Sequence, residues 1–556
     1  MINPIAANPT LTSPQRLFPA RAPEALPELV LEDVASLSGE KLAPQAPIAV
    51  QAPETQAPST MPAETRLRPP VPSTLQEAGA AEAGPQVLGG RPKEVLFDGF
   101  LKVRTYELDI QRPEGVQTVT LTNLNGPGHN CAMVATTALA PDGTPRIILK
   151  KGDTRLSRQL RGEEYVKLGP TGGRLDKVGA DPEKIGLSET AEELGGRPVE
   201  GSFRRLGSKL SPTMPHESTE SDAYFSAVVQ LGGKIEGDGG GMEAVGLIGP
   251  YLCDYQEFQR LLNSGEIADG ARTRTMYGRN FDSVGYIPQL GVYVHDHPAL
   301  KARFSTLGLG EPWDPRSQKP PEIQPEPPAE PDAPKNEAAL IDHCIITQCK
   351  EIPLGIGMKM IDAQTQHAAT VDGVVVPQEK KFLNQVECLN YDRAKMVVYY
   401  NDPQQGPMVY FADCERPLQA LKGTGVFGQE CDPTQDNTNL VRKDLMDFKI
   451  DREEAAGPQL ANLLASELKV QSQPRELCAK TSTSSGSNDL YYHFYAVEVD
   501  KPPAGVQFVP LAQAVLGCRG GDADPLSEST LLSLYDQLGW IPQLGMSVES
   551  ARQLIG

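Results

Sequence analysis

Three carboxylates, Glu189, Glu192 and Glu193, stand at relative positions 0, 3 and 4 within Ser188-Glu189-Thr190-Ala191-Glu192-Glu193-Leu194-Gly195. At about 3.6 residues per turn they share one face of a helix. Like charges at that spacing repel, so an isolated helix is weakened by them, whereas a divalent cation turns the same arrangement into a set of oxygen ligands. The spacing therefore predicts a Mg²⁺ or Mn²⁺ site; the alternative is the solvated acidic face of a surface helix. The flanks predict a real helix: Asp181 caps its start, Pro182 suits the first helical position, and Gly195 suits the left-handed residue after the last turn. Leu187, Ala191 and Leu194 fall on the opposite side and are expected to pack into a core. Upstream, Gly172-Gly173 gives a tight bend through which the chain could enter the site.

The elements that must position this helix read as short strands rich in β-formers and separated by turn signals such as Pro141-Asp142-Gly143. Glu94 to Arg104 runs into Thr118-Val119-Thr120-Leu121, then Ala132 to Thr137, then Arg146 to Lys150. Downstream, a loop from Leu210 through Glu217 to Glu220 precedes the strand Ala223 to Val229. An apolar-periodic helix, Tyr255 to Leu262, leads into Ser264-Gly265-Glu266-Ile267-Ala268-Asp269 and then Arg272 and Thr273.

Taken together, Gly172-Gly173 and SETAEELGG resemble the Nudix box, a glycine followed at fixed spacing by a glutamate and then by Arg-Glu-apolar-any-Glu-Glu-any-Gly-apolar. The helix glutamates of that pattern fall on Glu189, Glu192 and Glu193, and its glycine on Gly195. Ser188 stands at the family arginine, and the upstream glutamate slot falls on Ala180 or Gly179, which leaves Asp176, Asp181 or Glu183 to supply that acid. Without a guanidinium fork the helix carboxylates are expected to be less firmly oriented. The order of strands is similar to the ADP-ribose pyrophosphatase branch of the family. In that branch a loop of the type Ser-Pro-Gly followed by Glu carries an acid that helps to activate water. Here Thr213 replaces the glycine, and Glu217 or Glu220 could be the counterpart. The resemblance spans residues 93–309 and implies an α+β fold, a Nudix-type α/β/α sandwich with a mixed sheet. It further implies hydrolysis of a nucleoside diphosphate linked to another moiety. Glu189, Glu192 and Glu193 would hold Mg²⁺ or Mn²⁺, with Glu193 and Glu217 or Glu220 in the catalytic machinery and Gly172 and Gly173 against the diphosphate. The alternative is a module that binds a nucleotide or a protein without turnover.

Gly285-Tyr286-Ile287-Pro288-Gln289-Leu290-Gly291 recurs as Gly539-Trp540-Ile541-Pro542-Gln543-Leu544-Gly545, 254 residues later. A period of that size reads as a domain duplication. Aligned back from this anchor, Tyr491 to Val497 stands where Ala223 to Val229 stands, and Pro458 to Leu468 where the acidic helix stands. Glu189 then corresponds to Leu463, Glu192 to Ser466 and Glu193 to Glu467, so the second copy is expected to bind no metal and to serve as a built-in structural partner. Ile287, Pro288 and Leu290 could form the contact between copies, or simply close each copy's last helix on its own sheet.

The chain has 556 residues, 39% of them hydrophobic, which allows two domains with ordinary cores. Residues 1–92 are crowded with Pro, Ala, Gln and Glu and are expected to be disordered, with Val30 to Leu37 as a weakly amphipathic stretch that could dock a protein partner. Residues 310–336 read as a stiff proline-rich linker, and residues 337–556 as the second, degenerate domain. A formal net charge of −20 disfavours nucleic-acid binding, since no basic stripe is available to replace phosphate counterions. A small nucleotide-type substrate needs only local cations such as Arg104, Lys150, Lys151, Arg155 or Arg161. No apolar run is long enough for a signal peptide or a bilayer span, which predicts no membrane association and a cytoplasmic location. The nine cysteines show no Cys-x-x-Cys pair, and His295-Asp296-His297 reads as surface.

Overall fold

A computed structural model describes residues 85–126, 130–153, 167–175, 179–213, 218–231, 249–317, 341–355, 357–371, 374–388, 391–428, 438–452, 454–482, 490–520 and 524–556. All of them lie in one compact unit, Arg68–Gly556. The expected arm up to residue 84, including Val30 to Leu37, residues 318–336 of the expected linker and residues 337–340 of the expected second domain lie outside the described residues.

An antiparallel three-stranded sheet comes first: β1 (Gln86–Asp98), β2 (Lys102–Arg112) and β3 (Gly115–Asn125). The first strand starts ahead of Lys93, because Gln86 to Pro92 pair with Gln111 to Tyr106. The run from Glu94 to Arg104 is two strands, broken at Gly99-Phe100, where the chain turns back.

The central sheet follows, with β4 (Asn130–Leu139), β5 (Pro145–Asp153), β6 (Lys167–Gly169), β7 (Thr171–Arg174), helix α1 (Pro182–Leu194), β8 (Arg197–Pro198), β9 (Arg204–Arg205), β10 (Ser211–Pro212), β11 (Ser221–Gln230) and β12 (Gly249–Cys253). Its strand order is β10-β11-β4-β5-β12; β4 and β11 run parallel, and β7 lies antiparallel along β4. Side chains alternate along a strand, so β4 feeds two cores. Ala132 and Val134 join Leu194, Phe225 and Val229 on the α1 side. Met133 and Ala135 join Phe258, Leu261, Tyr277 and Phe281 from α2 (Tyr255–Asn263) and α3 (Gly270–Val284) on the other. The result is a mixed sheet between helices, an α/β arrangement consistent with the α+β expectation.

The second half repeats this strand order. A three-stranded antiparallel sheet (Ile341–Gly355, Met358–Val371, Val374–Cys388) precedes a central sheet ordered Arg475–Ser482, Tyr491–Glu498, Tyr391–Asp402, Gly406–Tyr410, Phe508–Pro510. Tyr391–Asp402 and Tyr491–Glu498 are parallel, and Met446–Asp451 lies antiparallel along the former, as β7 lies along β4. Helix Ala456–Glu467 covers one face through Leu460 and Leu464, and helices Leu511–Arg519 and Pro525–Leu538 cover the other.

The halves meet along α3 and Pro525–Leu538. Gly278 allows the close approach, since a Cβ there would meet Leu532 Cδ1 at 2.8 Å. Arg279 donates twice to Glu528 Oε2, at 2.7 and 3.0 Å. Ile287 and Ile541, from the two copies of the seven-residue motif, share one apolar cluster with Leu544, Leu300 and Phe304, and Leu290 packs against it. Residues 310–317 are held on the first half by Trp313 under Arg204 and by Arg316 over Tyr293, with guanidinium carbons 4.7 and 4.2 Å from the ring centres.

Candidate functional site

Helix α1 is fixed at both ends by the residues whose types suggested it. The Asp181 side chain accepts the Glu183 N–H at 3.0 Å, Pro182 occupies the first turn, and Gly195 takes φ 60°, donating its N–H to Ala191 O at 3.0 Å. The buried side differs from the expectation. It comprises Gly186, Thr190, Glu193 and Leu194, while Leu187 is 37% exposed. Residues at i, i+4 and i+7 line one helix face, and Gly186 makes that the packing face: a Cβ there would meet Phe203 at 3.0 Å and Val134 at 3.1 Å.

This rotation sends Glu193 inward. It is 2% exposed; one carboxylate oxygen accepts from Lys150 Nζ and the other from the Gly172 backbone N–H at 3.0 Å. Lys150, on β5, is itself 5% exposed, so two buried charges neutralise each other. Glu189 lies against the next residue of β7, where any side chain at Gly173 would overlap its carboxylate. Glu192 is exposed and accepts a hydrogen bond from Ser188 Oγ.

Glu220 approaches the same strand from elsewhere. It sits just before β11 and is 1% exposed; its Oε1 accepts from the Gly126 N–H at 2.8 Å and from the Arg174 guanidinium. Its Oε2 is buried with no hydrogen-bond partner among the described residues. Burial pulls Arg174 toward neutrality, but the Glu220 charge, the nearby Cys131 and the hydrogen bond to Glu220 together more than offset this and hold the guanidinium above its ordinary range. Along β7, therefore, Gly172 meets Glu193, Gly173 meets Glu189, and Arg174 meets Glu220. Burial pushes the Cys131 thiol, opposite Arg174 on β4, up to about 11, which keeps it protonated and unsuited to nucleophilic work.

The Glu220 segment is held by buried polar groups. Thr219 donates its N–H to Asn123 Oδ1 at 3.0 Å and its hydroxyl to Asn125 Oδ1 at 2.8 Å, and the Glu220 N–H donates to Ser218 Oγ at 2.9 Å. Glu217, the other candidate acid, lies outside the described residues, as do Asp176, Arg155 and Arg161. Of the remaining candidates for the family's upstream acid, Asp181 serves as the cap and Glu183 is exposed on the first turn.

No group of three or more His, Cys, Asp and Glu side chains gathers as a metal-ligand set among the described residues. Mg²⁺, however, characteristically takes one or two carboxylates and fills its octahedron with water and substrate phosphate oxygens. Two carboxylates could serve that mode, since Glu189 and Glu193 face adjacent residues of one strand, and Glu220, at the next residue along, carries a buried oxygen with no hydrogen-bond partner among the described residues. Glu192, turned to Ser188, stands apart from the other two.

The sequence offers Lys150 as a local cation for a nucleotide substrate, whereas the structure sets it against Glu193; neither Arg174 nor Gly126 stands out from the sequence. These residues supply what Ser188 lacks, since the acids are oriented by cations from β5 and β7 instead of from the helix itself. A basic residue directly after the glycine pair was the one local signal for Arg174. In the second half the strand in the place of β7 reads Met446-Asp447-Phe448-Lys449-Ile450-Asp451 and has no glycine; Leu463 packs toward the core, and Ser466 and Glu467 are exposed.

No family model and no curated protein matches this chain. Among solved structures it is similar to one described as an ADP compounds hydrolase, over 33% of this chain and 85% of that one, at 16% identity and a TM-score of 0.23.

Proposed function

We propose that the first half is a metal-dependent hydrolase of a nucleoside diphosphate linked to another moiety, on a Nudix-type fold, and that the second half is a degenerate tandem copy with a structural role. The observation that carries this reading is the alignment of Glu193, Glu189 and Glu220 along Gly172, Gly173 and Arg174. The repeated strand order and the GYIPQLG and GWIPQLG motifs support the duplication. The glycine-free strand Met446–Asp451 supports the loss of a site in the second copy.

A pyrophosphate linkage repels an incoming nucleophile, and Mg²⁺ held by Glu189 and Glu193 would supply charge neutralisation and a more acidic water. Glu220, or Glu217, would accept a proton from the attacking water as the water oxygen bonds to phosphorus. The bridging P–O bond breaks, and the leaving phosphate takes up the proton, giving a nucleoside monophosphate and a second phosphorylated fragment. The glycines at 172 and 173 leave the strand backbone open to the diphosphate, and Arg174 keeps the Glu220 carboxylate aimed.

The test is release of monophosphate from ADP-ribose or NADH with Mg²⁺, beside Glu189→Gln and Glu193→Gln, with Mn²⁺ binding measured directly by calorimetry. We expect turnover to fall by roughly 100-fold or more in either variant, and Mn²⁺ affinity to fall with it. Wild-type protein that shows no metal-dependent release removes the hydrolase reading. The closed Lys150–Glu193 pair favours a second reading, a binding module without turnover, which predicts unchanged ligand binding in both variants.

A further inference from the structure

The loop that carries Glu220 is buttressed by the half of the chain that lacks the acids. Helix Pro417–Lys422 of the second half is buried at Leu418, Gln419, Ala420, Leu421 and Lys422. Its apolar side packs against Tyr106, Leu108 and Ile110 of β2. Just before it, Glu415 takes a bidentate hydrogen bond from Arg112 at 2.6 and 2.7 Å, which ties the helix to the N-terminal sheet. Its two polar side chains turn to the Glu220 segment: Lys422, 1% exposed, donates from Nζ to Ser221 Oγ at 2.8 Å, and Gln419, fully buried, donates to Ser218 O at 3.4 Å. Ser218 and Ser221 flank Thr219 and Glu220, and Ser218 Oγ accepts the Glu220 N–H.

A second brace reaches Glu220 through Arg174. Asn384, on the second half's strand Val374–Cys388, accepts the Phe100 N–H at 3.0 Å and donates to Asp362 Oδ1 at 2.8 Å. The Phe100 ring lies 5.9 Å from the Arg174 guanidinium carbon, and that guanidinium binds Glu220 Oε1. Burying a lysine ammonium carries a desolvation penalty that an apolar residue of similar size would not incur. Lys422 therefore needs polar partners, and the Ser221 hydroxyl is one of them.

We propose that Lys422, assisted by Gln419, is a positioning residue that the second half supplies to the Glu220 loop of the first, setting the direction of the acid without touching substrate. This rests on the hydrolase reading only for its kinetic consequence; the mechanical claim stands on the contacts themselves. Lys422→Met removes the charge and keeps the volume, Lys422→Arg restores the charge, and Ser221→Ala removes the acceptor oxygen with minimal disturbance.

In the full-length chain, hydrogen exchange of the backbone amides at Thr219, Glu220 and Ser221 should speed up by at least about tenfold in Lys422→Met and Ser221→Ala, and recover partly in Lys422→Arg. With ADP-ribose as substrate, kcat should fall by about tenfold with KM within about twofold, and the acidic limb of the pH profile should shift. Wild-type exchange rates at those amides in both Lys422→Met and Ser221→Ala overturn the proposal, whatever the turnover. Faster exchange with wild-type kcat and pH profile also overturns it, since Lys422 would then serve stability alone. If the wild-type protein turns over no dinucleotide, the hydrolase reading falls, and the exchange rates still decide whether Lys422 holds the loop.

Discussion

A carboxylate buried as deeply as Glu193 persists only with compensating partners, and among the described residues Lys150 is a charged one. Replacing the lysine removes one of the groups that hold the acid. Lys150→Met is expected to destabilise the chain by about 3 to 5 kcal/mol, read from the denaturant midpoint, whereas Lys150→Met combined with Glu193→Gln should recover part of the loss. Gly173 is the second residue with a decisive local role. Gly173→Ala places a methyl group where the Glu189 carboxylate lies, and that flexible side chain can swing aside at little cost to the fold. The expected outcome is a fall in turnover of roughly 100-fold with an almost unchanged denaturation midpoint, because a displacement of about 1 Å near the reacting atoms is enough. Wild-type turnover in Gly173→Ala would show that Glu189 does not act from this position.

At the scale of the element, α1 has weak internal support. Its exposed turn holds Leu187 and Glu192, its buried side includes a glycine and a glutamate, and it depends on its caps and on the sheet for placement. Asp181→Ala should cost about 1 kcal/mol, measured by thermal or chemical denaturation, through loss of the hydrogen bond to the Glu183 N–H. Strand β7 is the complementary element: only four residues long, it presents two backbone positions free of side chains and one guanidinium to three acids. The strand of the second half that lies in the same place, Met446–Asp451, is longer and places Ile450 in a core.

On the scale of the whole molecule, the two halves share buried charge across their contact. Asp282 of α3 meets Arg519 of the second half; burial pushes its carboxyl up to about 7, with Arg519 opposing the shift. The unfolded chain titrates the same group near 3.9. The folded state therefore holds this proton more tightly, and the contribution to stability is full below about pH 4 and lost as the pH rises through about 7. Asp282→Asn keeps the shape and removes the titration. The stability of wild type relative to this variant should thus drop between pH 5 and pH 8, as read from urea midpoints, and equal differences at the two pH values would show that Asp282 ionises as an ordinary carboxylate.

Much of this was legible in the residues. The caps of α1, the strands near 132–137 and 146–150, the strand before Gln230, the helix from Tyr255 and the repeated seven-residue motif all follow from local signals, because turn chemistry and side-chain periodicity act over a few residues. Local signals failed where the decision belonged to packing. Leu187 was expected inside and lies outside, since the narrow space beside Phe203 and Val134 admits Gly186 and so sets the rotation of the helix. The spacing of the acids determined that they share a helix face. Only the tertiary structure decided that Glu193 would be buried against Lys150 and Glu192 left in solvent, and that Lys422, about 200 residues from Glu220 in sequence, would stand behind its loop. Sequence spacing fixes directions around one axis, whereas the partner that each direction meets is set by how separate elements dock.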